Sequence, residues 1–271
     1  MARQSTTKSW LFPPRSCEVQ LDEKWSFVGK KEHNCDKSNP ADDDKGDRWD
    51  HTAIDAESRL LLAVVPGERT LENCQAIVQE VHDRTGGRTD LLLTSDEHKP
   101  YATAIEAVYA TEEPVPRRAG PGRPPKPRRV MPTDLCYATV CKKRQKGKVV
   151  EVTRRLVFGV VLLLYYLLAR SKVSGKINTS FVERNNGTDR GQNSRKQRKT
   201  YGFSKDAGIH DALTYFTCYS YNFCWPVRTL ASKDELGRKR PCTPAMAAGL
   251  TDHVWSLQEW LSFPANPCLL H

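Results

Sequence analysis

The chain has 271 residues, enough to bury a sizeable core as one domain with appendages or as two modest domains. Lysine and arginine outnumber aspartate and glutamate by 42 to 32, and the resulting net charge of +10 points to a polyanionic partner without choosing between nucleic acid and an anionic surface. Residues 1–10 lack the apolar core of a signal peptide, and the apolar run 156–169 is too short to span a bilayer, so a membrane role is not expected.

In chain order, β-branched and aromatic residues predict strands over 19–28 and 49–55, with a polar loop over 34–47 between them. A short apolar run over 59–65 ends at Pro66-Gly67 and reads as a third strand. Thr70 is placed as a helix cap, because Leu71, Cys74, Ile77, Val78 and Val81 follow at helical spacing up to Gly86-Gly87. Leu91-Leu92-Leu93 reads as a strand buried on both faces, and Pro100 opens another helix to about residue 110.

The composition then changes. Prolines between 114 and 127 rule out a helix or central strand there. Across 117–155, thirteen basic residues face only Asp134 and Glu151, so this segment carries more positive charge than the whole chain nets. It is read as a basic insertion over 112–155, dividing a core of 18–111 and 156–228. Residues 1–17 are an N-terminal extension and 229–271 a C-terminal appendage. Helices are expected over 156–169, 178–190 and 206–225, with the last ended by Pro226.

Nine cysteines include no C-x-x-C pair, and Cys136 with Cys141 has no second pair or paired histidines to complete four ligands. Zinc is therefore not expected, and the odd count suits reduced thiols in a cytosol.

Three carboxylates carry the chemical argument. Asp22 lies in the first strand, Asp96 follows the fourth, and Glu183 sits in the Phe181-Val182-Glu183-Arg184-Asn185-Asn186 helix, with Arg190 two turns on. Singly, each has an ordinary explanation: a surface aspartate, a strand-end turn, a solvated helix residue. Brought together, they would suit two Mg²⁺ ions for phosphodiester chemistry, because Mg²⁺ prefers hard oxygen ligands. His210 reads as a helix-face residue that structures the core or hydrogen-bonds DNA, not as a ligand or base.

Gln20-Leu21-Asp22-Glu23-Lys24-Trp25-Ser26-Phe27-Val28-Gly29 resembles the first catalytic block of the insertion-sequence-one family of bacterial transposases. Gly67-Glu68-Arg69-Thr70 and Thr94-Ser95-Asp96 with Tyr101 are similar to the next two blocks. Glu183 to Asn186, Arg190, Lys199-Thr200, Phe203-Ser204-Lys205 and His210 are similar to the last and most specific. The resemblance implies an α/β RNase H-like fold, a mixed sheet flanked by helices, with the first and fourth strands side by side.

It further implies Mg²⁺-dependent cleavage and strand transfer on double-stranded DNA, with Mn²⁺ as a substitute, and Asp22, Asp96 and Glu183 as the metal-binding triad. Arg190 would contact DNA, and the protein would act as a homo-oligomer on the nucleoid of a bacterial cytoplasm. Family members often carry an N-terminal zinc finger and helix-turn-helix, whereas only a short segment with the single Cys17 precedes Asp22. End recognition would then come from a separate polypeptide, from an upstream reading frame, or not at all. A nuclease without strand transfer and a non-catalytic DNA-binding remnant remain the alternatives.

Further DNA contacts are expected from Arg184, from Arg123, Arg128 and Arg129, and from Lys142, Lys143 and Arg144. Gly122-Arg123-Pro124 resembles an AT-hook core, although Gly120-Pro121 precedes it where basic residues belong. A basic linker touching phosphates is the simpler reading. Deleting 112–148 is expected to weaken DNA binding and leave the core folded.

Overall fold

The structure, a computed structural model, describes residues 16–115 and 125–263. Arg123 and its AT-hook reading therefore lie outside the described residues, as does most of the N-terminal extension. The centre is a six-stranded mixed sheet in the order β3-β2-β1-β4-β7-β8. It comprises β1 (Glu18–Val28), β2 (Gly46–Asp55), β3 (Leu61–Gly67), β4 (Leu92–Asp96), β7 (Cys136–Gln145) and β8 (Lys148–Phe158). The first three strands form an antiparallel meander. β4 runs parallel to both β1 and β7, and β8 returns antiparallel at the edge.

One face is covered by α1 (Leu71–Arg84) and α2 (Pro100–Tyr109). Val19, Leu21, Leu62, Leu91, Leu93 and Tyr137 point to that side, where they meet Ile77, Val78, Tyr101 and Ile105. The alternate residues face the other way. Leu92, Ala138 and Val140 pack on α3 (Val161–Arg170), while Ile54, Leu61 and Val64 pack on α4 (Ser180–Gln192) and α5 (Ala207–Cys224). This period of two decides which side chains of β1 meet which helix.

Thr70 caps α1 as expected, its hydroxyl accepting the Asn73 N–H at 3.3 Å. The 112–155 insertion is corrected. Only its first part stands apart, as a small ladder of β5 (Thr111–Glu113) and β6 (Arg128–Val130). Cys136–Val140 is a buried strand in the sheet interior, and the lysines and arginine that follow lie on its outward extension. Counting charge across the whole segment hid the five apolar-to-neutral residues that decide burial. Strand β8 is exposed along most of its length and carries basic side chains, a common protection for a sheet edge.

The expected helix over 156–169 is also divided. Its first residues finish β8, Gly159 turns the chain at φ +95°, and α3 begins at Val161. A side chain at Gly159 would meet the Leu135 carbonyl and Cys136. The C-terminal segment is not a detached appendage. After a hairpin of β9 (Ser232–Lys233) and β10 (Lys239–Arg240), α6 (Pro244–Ala247) places Ala245 in the main core. Trp255, just before α7 (Leu257–Ser262), packs on Phe223 at 4.8 Å between ring centroids.

The corrected strand makes a direct prediction. Tyr137 is 1% exposed and shares a 2.8 Å hydrogen bond with the Ser95 hydroxyl. Tyr137→Ala should cost about 3 kcal/mol or more, read from the urea midpoint. A loop position would lose almost nothing. For the same reason, deleting 112–148 should unfold the protein rather than leave its core intact.

Candidate active-site cleft

Helix α4 is polar, and polar contacts fasten it along β1. Gln20, Asp22 and Lys24 share one face of the strand. The Gln20 side-chain carbonyl accepts the Phe181 and Val182 N–H groups at 2.9 and 3.2 Å, capping the helix start. Asn186 donates to the Asp22 carboxylate at 2.8 Å, and the Lys24 ammonium donates to Asp189. Two residues of strand advance roughly 6.6 Å and one helical turn about 5.4 Å, so successive side chains on β1 can each meet a successive turn.

Below this seam lies a buried charged cluster. Lys196 donates to Asp50 at 2.7 Å, Lys24 lies 3.2 Å from the same oxygen, and all three side chains are shielded from solvent. Burial alone would raise the Asp50 carboxyl, but Lys24 and Lys196 outweigh it and hold Asp50 well below the usual carboxylate range. His210 completes this region, bonded to Ser204 at 2.8 Å and Ser26 at 3.2 Å, which places it in the core, the first of its two expected roles. Burial depresses its imidazole to about 4, which keeps it neutral.

Asp22, Asp96 and Glu183, from β1, the end of β4 and α4, line one cleft of about 670 Å³. Parallel pairing of β1 with β4 brings the first two together, as the sequence suggested. A carboxylate oxygen from each of Asp22, Glu23 and Asp96 lies within 4.8 Å of the others. Glu183 stands opposite, held by Lys142 and by the Thr179 hydroxyl. Arg69, His98, Lys99, Lys142 and Arg144 also line it, with Glu97 the one further acidic lining residue, so an acidic floor sits inside a mainly basic rim.

Burial pushes the Asp22 carboxyl up to about 6, helped by the negative charges of Asp96 and Glu183. Glu23 rises to about 8 by burial and the charge of Asp96. A carboxyl whose folded value lies above its unfolded value destabilises the fold once it ionises. For Asp22 that penalty is absent below 3.8, grows as pH rises towards about 6, and is complete above it. Asp22→Asn should therefore stabilise the chelator-treated protein by roughly 3 kcal/mol at about pH 8, with the gain gone near pH 4. Urea unfolding at the two pH values checks this.

The remaining expected DNA contacts are scattered. Lys142 and Arg144 line the cleft, whereas Lys143, between them on β7, pairs with Glu151 at 3.8 Å. Arg190 is half-buried and donates to the Trp25 carbonyl at 3.2 Å, which anchors α4 to β1. Arg184 is exposed beside a different groove with Arg59, Phe181 and Tyr221. Arg128 and Arg129 lie exposed on β6, in register with Glu113 and Glu112.

Asn186, Glu23, Arg69 and His98 were not assigned from sequence. Asn186 had a usable signal, because it follows Glu183 by three residues on the same helix and so shares its face. Glu23 had none, since strand alternation aims it away from Asp22, towards α1. Among the described residues, no helix is long and apolar enough to cross a membrane. Comparison with protein-family models gives no match, and comparison with curated proteins gives none either.

Proposed function

We propose that this protein is a Mg²⁺-dependent DNA-processing enzyme with an RNase H-like core, acting as a transposase that cleaves element ends and joins them to target DNA. The observation that carries this reading is the meeting of Asp22, Asp96 and Glu183 in one basic-rimmed cleft, each from a different element. Strand order and the parallel β4 and β7 support the fold assignment, and the sequence blocks around the three carboxylates support the family.

The donor set fits Mg²⁺. Its oxygens are carboxylate, those of Asp22, Glu23 and Asp96 lie within 4.8 Å of one another, and burial followed by the charge of Asp96 raises Asp22. Asp22, Asp96 and Glu183 would hold the metal, which when bound would stabilise charge on the attacking and leaving oxygens. Asn186 fixes the Asp22 carboxylate, and Gln20 fixes the helix turn that bears Glu183. Lys142 neutralises Glu183 in the metal-free protein and would turn to a DNA phosphate when that carboxylate is engaged. Arg69, Lys99 and Arg144 would track the backbone, giving affinity that falls with salt.

The test is incubation of the full chain with Mg²⁺, a labelled DNA fragment bearing the element's terminal repeats, and plasmid target. Joined fragment–plasmid molecules are expected. Nicked DNA without joined molecules would leave the nuclease reading, and binding without either would leave the DNA-binding remnant.

A further inference from the structure

Behind the cleft, on the α1 side of β1, three different donors converge. The Glu23 carboxylate, the Cys74 thiol of α1 and the His98 imidazole of the β4–α2 connection each offer a ligand atom within 4.8 Å of the other two. Glu23 Oε1 and His98 Nε2 are 3.3 Å apart, a spacing that two ligands of one small cation adopt. Both atoms are buried and lack a hydrogen-bond partner, and the Glu23 side chain is only 1% exposed. The neighbouring Tyr101 hydroxyl, fully buried, is also unpartnered, and its ring meets His98 edge-on at 5.8 Å. Arg69 reaches Glu23 only at 3.7 Å and is partly engaged on the Trp49 ring, 4.7 Å from its centroid.

Buried polar atoms are rarely left without partners, because desolvating them uncompensated costs about 1–3 kcal/mol each. The Glu23–His98 contact at 3.3 Å and the Arg69 contact at 3.7 Å satisfy these atoms only in part, and the Tyr101 hydroxyl and the thiol beside them have no role in either contact. Mixed oxygen, nitrogen and sulfur donors do not suit Mg²⁺, which prefers oxygen, but they do suit a borderline-soft divalent ion with few ligands.

We propose that Glu23, Cys74 and His98 form a zinc-class metal site that adjoins the Asp22–Asp96–Glu183 carboxylates through Glu23, with a fourth position left for water or the Tyr101 oxygen. Binding deprotonates the Cys74 thiol, and the proton goes to solvent as the sulfur–metal bond forms. The ion ties β1, α1 and the start of α2 together directly behind Asp22 and Asp96. Cysteine spacing could not have shown this, because the three ligands come from three elements and only one is a cysteine. The site rests on its own geometry and stands or falls apart from the transposase reading.

Cobalt tests it, since Co²⁺ reports thiolate ligation and low coordination number by its absorption. Full-length protein is stripped with chelator and titrated with Co²⁺, in the wild type and in Asp22→Asn/Asp96→Asn/Glu183→Gln. Both should develop a thiolate-to-cobalt charge-transfer band and intense visible bands that saturate at a single equivalent. Cys74→Ser and Cys74→Ala should lose the charge-transfer band completely while keeping the wild-type circular dichroism. His98→Ala should weaken Co²⁺ binding by at least about tenfold. Zn²⁺ should bleach the bands, and excess Mg²⁺ should not. The proposal is overturned if no charge-transfer band forms, if it survives in folded Cys74 variants, or if Mg²⁺ displaces the cobalt.

Discussion

Asp22→Asn, Asp96→Asn and Glu183→Gln should each cut Mg²⁺-dependent DNA cleavage by at least about a hundredfold, which is about 3 kcal/mol of barrier. Each change removes one negative charge at nearly constant shape, so the fold and most DNA affinity should survive. The pairwise combinations should cost little more than the worst single change, because the three carboxylates act as one unit. Glu183→Gln has a second signature. It frees Lys142, so DNA binding without metal should tighten slightly while cleavage disappears. Initial rates of plasmid nicking and filter binding measure the two effects. Any single variant that keeps full activity removes that residue from the site.

The largest loss of stability should come from Asp50→Ala. Asp50 is 0% exposed and lies between Lys24 and Lys196, themselves buried. Removing it leaves two ammonium groups out of water with Asp189 as their one remaining paired carboxylate among the described residues. Breaking one partner from a buried ionic cluster costs about 3–5 kcal/mol, far more than the intact cluster contributes. Asp44→Ala, an exposed change, should stay within about 0.5 kcal/mol. Urea midpoints at neutral pH compare them. A near-neutral Asp50→Ala would mean that the cluster is wetter than its burial indicates. Lys24 also links β1 to α4, so a destabilised Asp50 variant should lose cleavage before it loses its helix content.

Much of the architecture was legible from local pattern. The β-branched and aromatic residues of β1, the capped helix after Thr70 and the buried Leu91-Leu92-Leu93 strand are short-range signals, and the structure places each where its pattern put it. Asp22 and Asp96 could be paired because β1 and β4 are neighbours, and the parallel register of Val19 with Leu93 and Gln20 with Thr94 carries Asp22, midway along β1, towards Asp96 at the end of β4. Strand β7 was missed for a physical reason. Its buried half is only five residues long, and the lysines and arginines that flank it dominate any composition window. Non-local contacts were equally hidden. Nothing in the residues near Gln20 announces that it caps α4, 161 positions away, or that Lys142 reaches Glu183 from β7.

The convergence of three carboxylates is most directly tested by anomalous scattering from crystals of the metal-stripped protein soaked in Mn²⁺. The account predicts manganese between Asp22 and Asp96, with Glu183 turned from Lys142 to join it, and no such peak in Asp96→Asn crystals. Manganese absent from the cleft, with the Lys142–Glu183 pair undisturbed, would contradict it.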